Sequence, residues 1–336
     1  MFFQEKDQRL LTFAASLLMG IGLSACFAGL LFPLIPSDFS RTKRLLKFIQ
    51  EENKANTTLV FGSSIAMDGV NTLLLDEIRA CTPETTFNLS SPGQNQLESI
   101  LLMSSFGESR PKRVVHMLNT LELGNQDFLS RRVIFNFLLF GYRPNQFVLN
   151  TLSITNNAPT LNEFASNRFA INFENRGLVT NFVNAGFRKW IRNDLLLAEL
   201  EENIRYPRNY VSRLEDAKRL ALIRQSNPSA EVRTFDMDSI KWEILKRTSL
   251  FLKAQGIEYT VVLSPVNPEL SSYSSVYFQQ LDHFFTTHPV PNVQFINLAT
   301  FLTKEDFVDH IHPGESGAKK ISAELAKRLP SCSSKQ

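Results

Sequence analysis

Cysteine is nearly absent from this chain. Cys26, Cys81 and Cys332 are the three in 336 residues, too few for a disulfide framework, so the fold must rest on a buried apolar core. His and Cys residues nowhere take the spacing of a metal site, and no glycine-rich loop of the phosphate-cradling kind occurs. No cofactor or metal is expected. An excess of one charge is lacking too. The 36 Lys and Arg against 33 Asp and Glu leave a net charge of +3, and no basic run is interleaved with aromatics, which argues against a nucleic-acid partner. What the chain has is apolar bulk: 43% hydrophobic residues and 28 Phe, many of them after residue 126. That suits one large globular domain, or one domain carrying an insertion.

One stretch lacks charge altogether. Leu10 to Ile35 spans 26 residues without a charged side chain, enough for a tilted crossing of a ~30 Å hydrocarbon core. Residues 1–36 therefore read as an N-terminal transmembrane helix, an uncleaved anchor. A cleaved signal peptide stays open as an alternative. So does a lipoprotein, because Leu23-Ser24-Ala25-Cys26 resembles a bacterial lipidation box. The anchor is favoured because the apolar run continues through Phe27-Ala28-Gly29-Leu30-Leu31-Phe32, whereas mature lipoproteins turn polar after the cysteine. Lys6 and Arg9 precede the stretch; Arg41, Lys43, Arg44 and Lys47 follow it. The positive-inside rule, taken literally, puts the remainder of the chain in the cytoplasm.

Beyond the anchor, strand and helix patterns alternate. Helical spacing covers 40–53, 68–79 and 96–106, and β-branched or apolar runs mark strands at 57–61, 85–89 and 113–118. Residues 126–235 break the rhythm and read as a mostly helical insertion over one end of the sheet, with helical stretches at 193–204 and 211–225. The rhythm returns with a helix at 239–255, a strand at 258–263, a helix at 275–287, a strand at 293–296 and an amphipathic run at 318–329. Such alternation predicts an α/β fold, a three-layer α/β/α sandwich around a parallel sheet of about five strands. The main domain would span 37–330, with a short polar tail at 331–336.

Two stretches carry chemistry. Asp309-His310-Ile311-His312-Pro313-Gly314 forms a loop feeding the last helix. A carboxylate three residues before a histidine can fix the imidazole tautomer and leave the other ring nitrogen as a base. A base needs a nucleophile. Leu59-Val60-Phe61-Gly62-Ser63-Ser64-Ile65 reads as a strand entering a tight turn before a helix, which presents a serine at the carboxyl end of a sheet. Between them lie the turn Asn88-Leu89-Ser90-Ser91-Pro92-Gly93-Gln94 after the second strand and Asn119 after the third.

These four blocks, in this order, resemble the SGNH/GDSL hydrolase superfamily over residues 55–125 and 237–330. Ser63 stands where Asp is commonest in the nucleophile block, and Thr120 where Asp usually follows the asparagine. Within the superfamily the chain looks most like membrane-anchored bacterial members with Gly-Ser-Ser, the DltD-like proteins and the acyltransferases of exopolysaccharide O-acetylation. The resemblance implies a flavodoxin-like SGNH fold. It also implies an extracytoplasmic (periplasmic) domain on the bacterial inner membrane, often beside a membrane-bound O-acyltransferase.

The chemistry implied is ester or thioester attack by Ser64, with His312 as base and Asp309 as its orienting carboxylate. The oxyanion donors would be the backbone N–H groups of Ser64 and Gly93 and the side-chain amide of Asn119. For Asn119 a strand-end cap is the competing reading, and Glu122 could serve as a second acid. Alignment with the Gly-Asp-Ser form selects Ser64 over Ser63 as the residue expected to meet His312. Two functions follow. One is a serine esterase or O-acyltransferase acting on acyl esters of cell-envelope carbohydrate or lipid. The other is a non-catalytic accessory protein of a polysaccharide or secretion complex.

Overall fold

The computed structural model describes residues 38–51, 54–80, 86–130, 140–155, 203–207, 215–226 and 233–330, with isolated positions at 15–16, 19, 133–134 and 137–138. All of the expected anchor at 10–35 but residues 15–16 and 19, most of the stretch at 193–204 and the polar tail lie outside the described residues. Among those described, no helix is long and apolar enough to cross a membrane.

In chain order the elements are α1 (Asp38–Glu51), β1 (Thr58–Gly62), α2 (Ser64–Gly69), α3 (Thr72–Ile78), β2 (Thr86–Asn88), α4 (Gln96–Met103), β3 (Arg113–Leu118), α5 (Gln146–Leu152), α6 (Asp216–Ser226), α7 (Ser239–Ala254), β4 (Glu258–Leu263), α8 (Ser275–Thr287), β5 (Val293–Asn297) and α9 (Glu315–Arg328). The five strands form one sheet in the order β2-β1-β3-β4-β5, and every pairing is parallel. This is a doubly wound sheet. The strand order reverses between β1 and β3, and in open α/β sheets ligands bind at the carboxyl ends of the strands at such a switch point.

Successive strand residues point to opposite faces, and both faces are buried. Leu59 and Phe61 of β1, Val114 of β3 and Val261 of β4 pack with apolar residues of α1, α4, α7 and α8. Val60, Val115 and Val262 face the other way and pack with α2, α3 and α9. All of these strand residues are fully removed from solvent. The result is helices on both sides of a central sheet.

The stretch expected as one helix over 68–79 is two. Residues Val70 and Asn71 take extended backbone, and the Asn71 side chain caps α3 by accepting from the Leu74 N–H at 3.1 Å. The break lets Gly69 lie against Ile321 and Pro313, where a Cβ would stand 3.1 Å and 3.4 Å from their side chains. β2 is a three-residue edge strand. The segment 203–207 covers it: Asn88 N–H donates to Ile204 O at 2.7 Å, and Arg205 binds both Thr86 O and the Asp76 carboxylate. A covered edge cannot recruit a further strand. In the described part of the insertion, Ile223 of α6 packs on Val266, Leu270 and Leu121, just beyond the carboxyl ends of β4 and β3.

Candidate active site

The nucleophile turn is built on Gly62. Its φ is +155°, and a Cβ there would lie 2.7 Å from both Ala66 Cβ and Met117 O. No larger residue fits between β1 and β3. The chain then turns, and Ser63 caps α2 by accepting from the Ile65 N–H at 3.4 Å. Ser64, the first residue of α2, is thrown outward at the end of the sheet.

On the opposite side, a tight loop holds the histidine. Val308 N–H donates to His312 O at 2.9 Å and Gly314 N–H to Asp306 O at 2.7 Å, and Phe307 pairs with Pro313 across an antiparallel bridge. Asp309 organises the inside of the loop. Its Oδ1 accepts from the backbone N–H groups of Ile311 at 2.8 Å and His312 at 2.7 Å. Its Oδ2 lies 2.6 Å from His312 Nδ1. The other ring nitrogen, Nε2, is 2.8 Å from Ser64 Oγ. A continuous chain of hydrogen bonds therefore runs from carboxylate through imidazole to hydroxyl. Ser64, not Ser63, is the serine at its end.

The electrostatics suit that chain. Burial alone disfavours the Asp309 carboxylate, but hydrogen bonds from the His312 ring and from the two backbone N–H groups outweigh it, and its pKa falls below the ordinary value. With Nδ1 facing an ionised carboxylate, the neutral ring keeps its proton there, and Nε2 presents a lone pair to Ser64. Asn267, in the loop after β4, donates its amide to Asp309 O at 3.2 Å and steadies the loop from below. His310, partly open beside Asp309, has its pKa lowered by burial, with the nearby carboxylate pulling the other way.

The remaining predicted donors lie around the same edge, but no hydrogen bond joins them to the three-residue chain among the described residues. Register pairs Gly62 with Met117, so Asn119 leaves the sheet at the same edge as the turn that carries Ser64. Asn119 accepts from the Leu121 N–H at 3.2 Å and caps the turn at Thr120–Glu122. The nearby Glu122 carboxylate has its pKa raised by burial, with Lys241 and the Asn119 side chain pulling it the other way. Thr120 points away: its hydroxyl donates to Ser264 O at 2.6 Å and ties β3 to β4. Gly93 has φ +70° and open space where a Cβ would be. Among the described residues, neither the Ser64 nor the Gly93 backbone N–H is taken by another protein atom.

Sequence reading missed the polar cluster behind Asn119. Lys241 binds Asp127 at 2.9 Å and Glu122 O at 2.7 Å, and Asp127 also accepts from the Gln96 N–H at 2.9 Å. His116 is sealed in β3 against Tyr259 at 2.9 Å, and burial, aided by Lys241, lowers its pKa to about 3. A cavity of about 20 Å³ lies among these groups, room for one water. Among the described residues, the buried Gln96 amide and Gln94 Oε1 are without protein partners there. Among the described residues, no three His, Cys, Asp or Glu side chains cluster as metal ligands would.

The fold and site together define a doubly wound α/β protein with a Ser-His-Asp chain at its topological switch point. Compared with known family models and with curated proteins, the sequence finds no match.

Proposed function

We propose that this chain is a membrane-anchored serine esterase or O-acyltransferase of the SGNH/GDSL type. Its site would face the extracytoplasmic side, and its substrates would be acyl esters of cell-envelope carbohydrate or lipid. The observation that carries the reading is the Ser64–His312–Asp309 chain, with its 2.8 Å and 2.6 Å contacts. Ser64 Oγ attacks the acyl carbonyl as its proton passes to His312 Nε2. The negative charge that develops on the carbonyl oxygen is met by the untaken N–H groups of Ser64 and Gly93, with the Asn119 amide as third donor. His312 then protonates the leaving alkoxide, giving an acyl-enzyme on Ser64. Water or a sugar hydroxyl, deprotonated by the same nitrogen, releases the acyl group.

A fluorophosphonate probe tests the chemistry directly. Wild-type protein should be labelled at Ser64 and the Ser64→Ala variant should not. A folded wild-type sample that resists labelling would point to the accessory role in a polysaccharide or secretion complex. Partnership with a membrane-bound O-acyltransferase belongs to the same reading and would appear as co-purification from detergent. For sidedness, alkaline phosphatase fused after residue 336 should be active and green fluorescent protein there dark. The reverse pattern would place the domain in the cytoplasm, as the flanking charges do.

A further inference from the structure

We propose that Arg41 is the positioning residue that sets the Ser90–Gly93 loop, and with it the Gly93 N–H, at the edge of the site. This rests on the esterase reading just given. Arg41 belongs to α1, far from the chemistry in sequence, yet only 2% of it is exposed. Its guanidinium is spread over the base of the loop. Nε donates to Ser90 O at 2.8 Å and to Ser91 Oγ at 3.2 Å. Nη2 donates to Asn88 O at 3.2 Å and also to Ser90 O. A planar fork can hold several acceptors in fixed relation; a lysine, a point charge on a flexible stem, cannot.

The loop is gripped from the other side by the elements that present Ser64. Ser91 N–H donates to Gly62 O at 3.1 Å. The Asn88 amide donates to Ala66 O at 3.0 Å and Val70 O at 3.1 Å, both in or just after α2, while its oxygen accepts from the Ser90 N–H at 3.1 Å. Among the described residues, Gly93 has no such hold of its own. It sits at φ +70° with nothing within 4 Å of its would-be Cβ. A loop with an unpacked tip is placed by its base, and Arg41 is bonded to that base at three residues, Asn88, Ser90 and Ser91. Because α1 follows the charge-free stretch at 10–35, the geometry of the oxyanion donor depends on the segment that joins the domain to its expected anchor.

The test uses full-length protein in detergent, with Arg41→Ala and Arg41→Lys. Hydrogen exchange of the peptide covering 88–94 reads the loop itself, and kcat and KM on a short-chain aryl ester read its consequence. In Arg41→Ala, exchange at 88–94 should speed up at least about tenfold. The kcat should fall about 10²-fold with KM nearly unchanged, because a displaced donor is missed chiefly in the transition state. Added methylguanidinium should restore part of the kcat. Arg41→Lys should retain the fold and show the same loss in milder form, and it carries the measurement if the alanine variant does not fold. Unchanged exchange in a folded variant overturns the proposal, and so does a loss confined to KM. If wild-type protein turns over no ester, the enzymatic reading falls separately. Exchange then still decides whether Arg41 holds the loop.

Discussion

Replacing Asp309 by asparagine separates the two duties of its carboxylate. Oδ1 serves the backbone N–H groups of Ile311 and His312, and Oδ2 serves His312 Nδ1. Asparagine has one acceptor oxygen. If that oxygen left the two backbone donors they would be stranded, at a cost of about 1–3 kcal/mol each. It will therefore stay with them, and the NH₂ group will face Nδ1. Two donors cannot share that contact, so the ring proton must move to Nε2. The resulting tautomer donates to Ser64 and cannot accept its proton. The expected loss in kcat is ~10⁴-fold, or about 5.5 kcal/mol in the barrier. Steady-state hydrolysis of an aryl acetate, normalised by active-site titration, measures it. Thermal melting monitors the fold in parallel, and it carries its own sign. The Asp309 pKa is depressed in the folded state, so its stabilising contribution is present above about pH 4 and fades as pH falls through the folded value. The stability gap between wild type and Asp309→Asn should close in acid. A folded variant with kcat within tenfold of wild type would show that the carboxylate does not set the tautomer.

Ser64→Ala should abolish turnover, while Ser63→Ala, which loses a 3.4 Å cap contact, should keep a good part of it; equal losses would undo the assignment of the nucleophile. Gly62→Ala should cost on the order of 3 kcal/mol or more in denaturant titration, because its Cβ meets backbone at Met117 O; a change below about 1 kcal/mol would mean that the turn relaxes freely. Glu98 is held protonated, with a pKa of about 8 caused first by burial and then by the Asp127 charge. Between the ordinary value and about 8, the folded state keeps a proton that the unfolded chain has lost, so stability declines with rising pH. Glu98→Gln should remove that decline, gaining on the order of 4 kcal/mol by pH 8 and under about 1 kcal/mol at pH 5; a gain independent of pH would refute the cause.

Much of the scaffold was legible because period and punctuation agree in it. The strands Arg113–Leu118 and Glu258–Leu263 and the helix Ser275–Thr287 fall where their apolar patterns begin and end. The final helix starts three residues before the amphipathic run, because Pro313-Gly314 opens it and Glu315 enters the first turn. The break between α2 and α3 was hidden because Gly69 and Asn71 sit inside a continuous helical pattern; only the docking of α9 explains them. In the site, Ser64, Asp309 and His312 were readable from their local context of strand, turn and loop. Arg41, Asp127, Lys241 and Asn267 were not. Each is a single polar residue whose partner lies tens to more than a hundred positions away, and no local period marks such a pairing.

The serine and the histidine that meet at 2.8 Å are 248 positions apart in the chain, and α9, which follows His312, packs against α2 and α3 through Ile321 and Leu325. Asn71 N–H donates to Ser322 Oγ at 2.8 Å, and Arg79 grips Pro330 O at 2.6 Å. During synthesis, at roughly 5–20 residues per second, Ser64 waits roughly 12–50 s for its base to be made. No chain that stops short of residue 312 can possess the Ser64–His312 pair. Reactivity at Ser64 thus arrives only after His312 has been made, and a reagent that reacts with that hydroxyl would count the chains that extend past it.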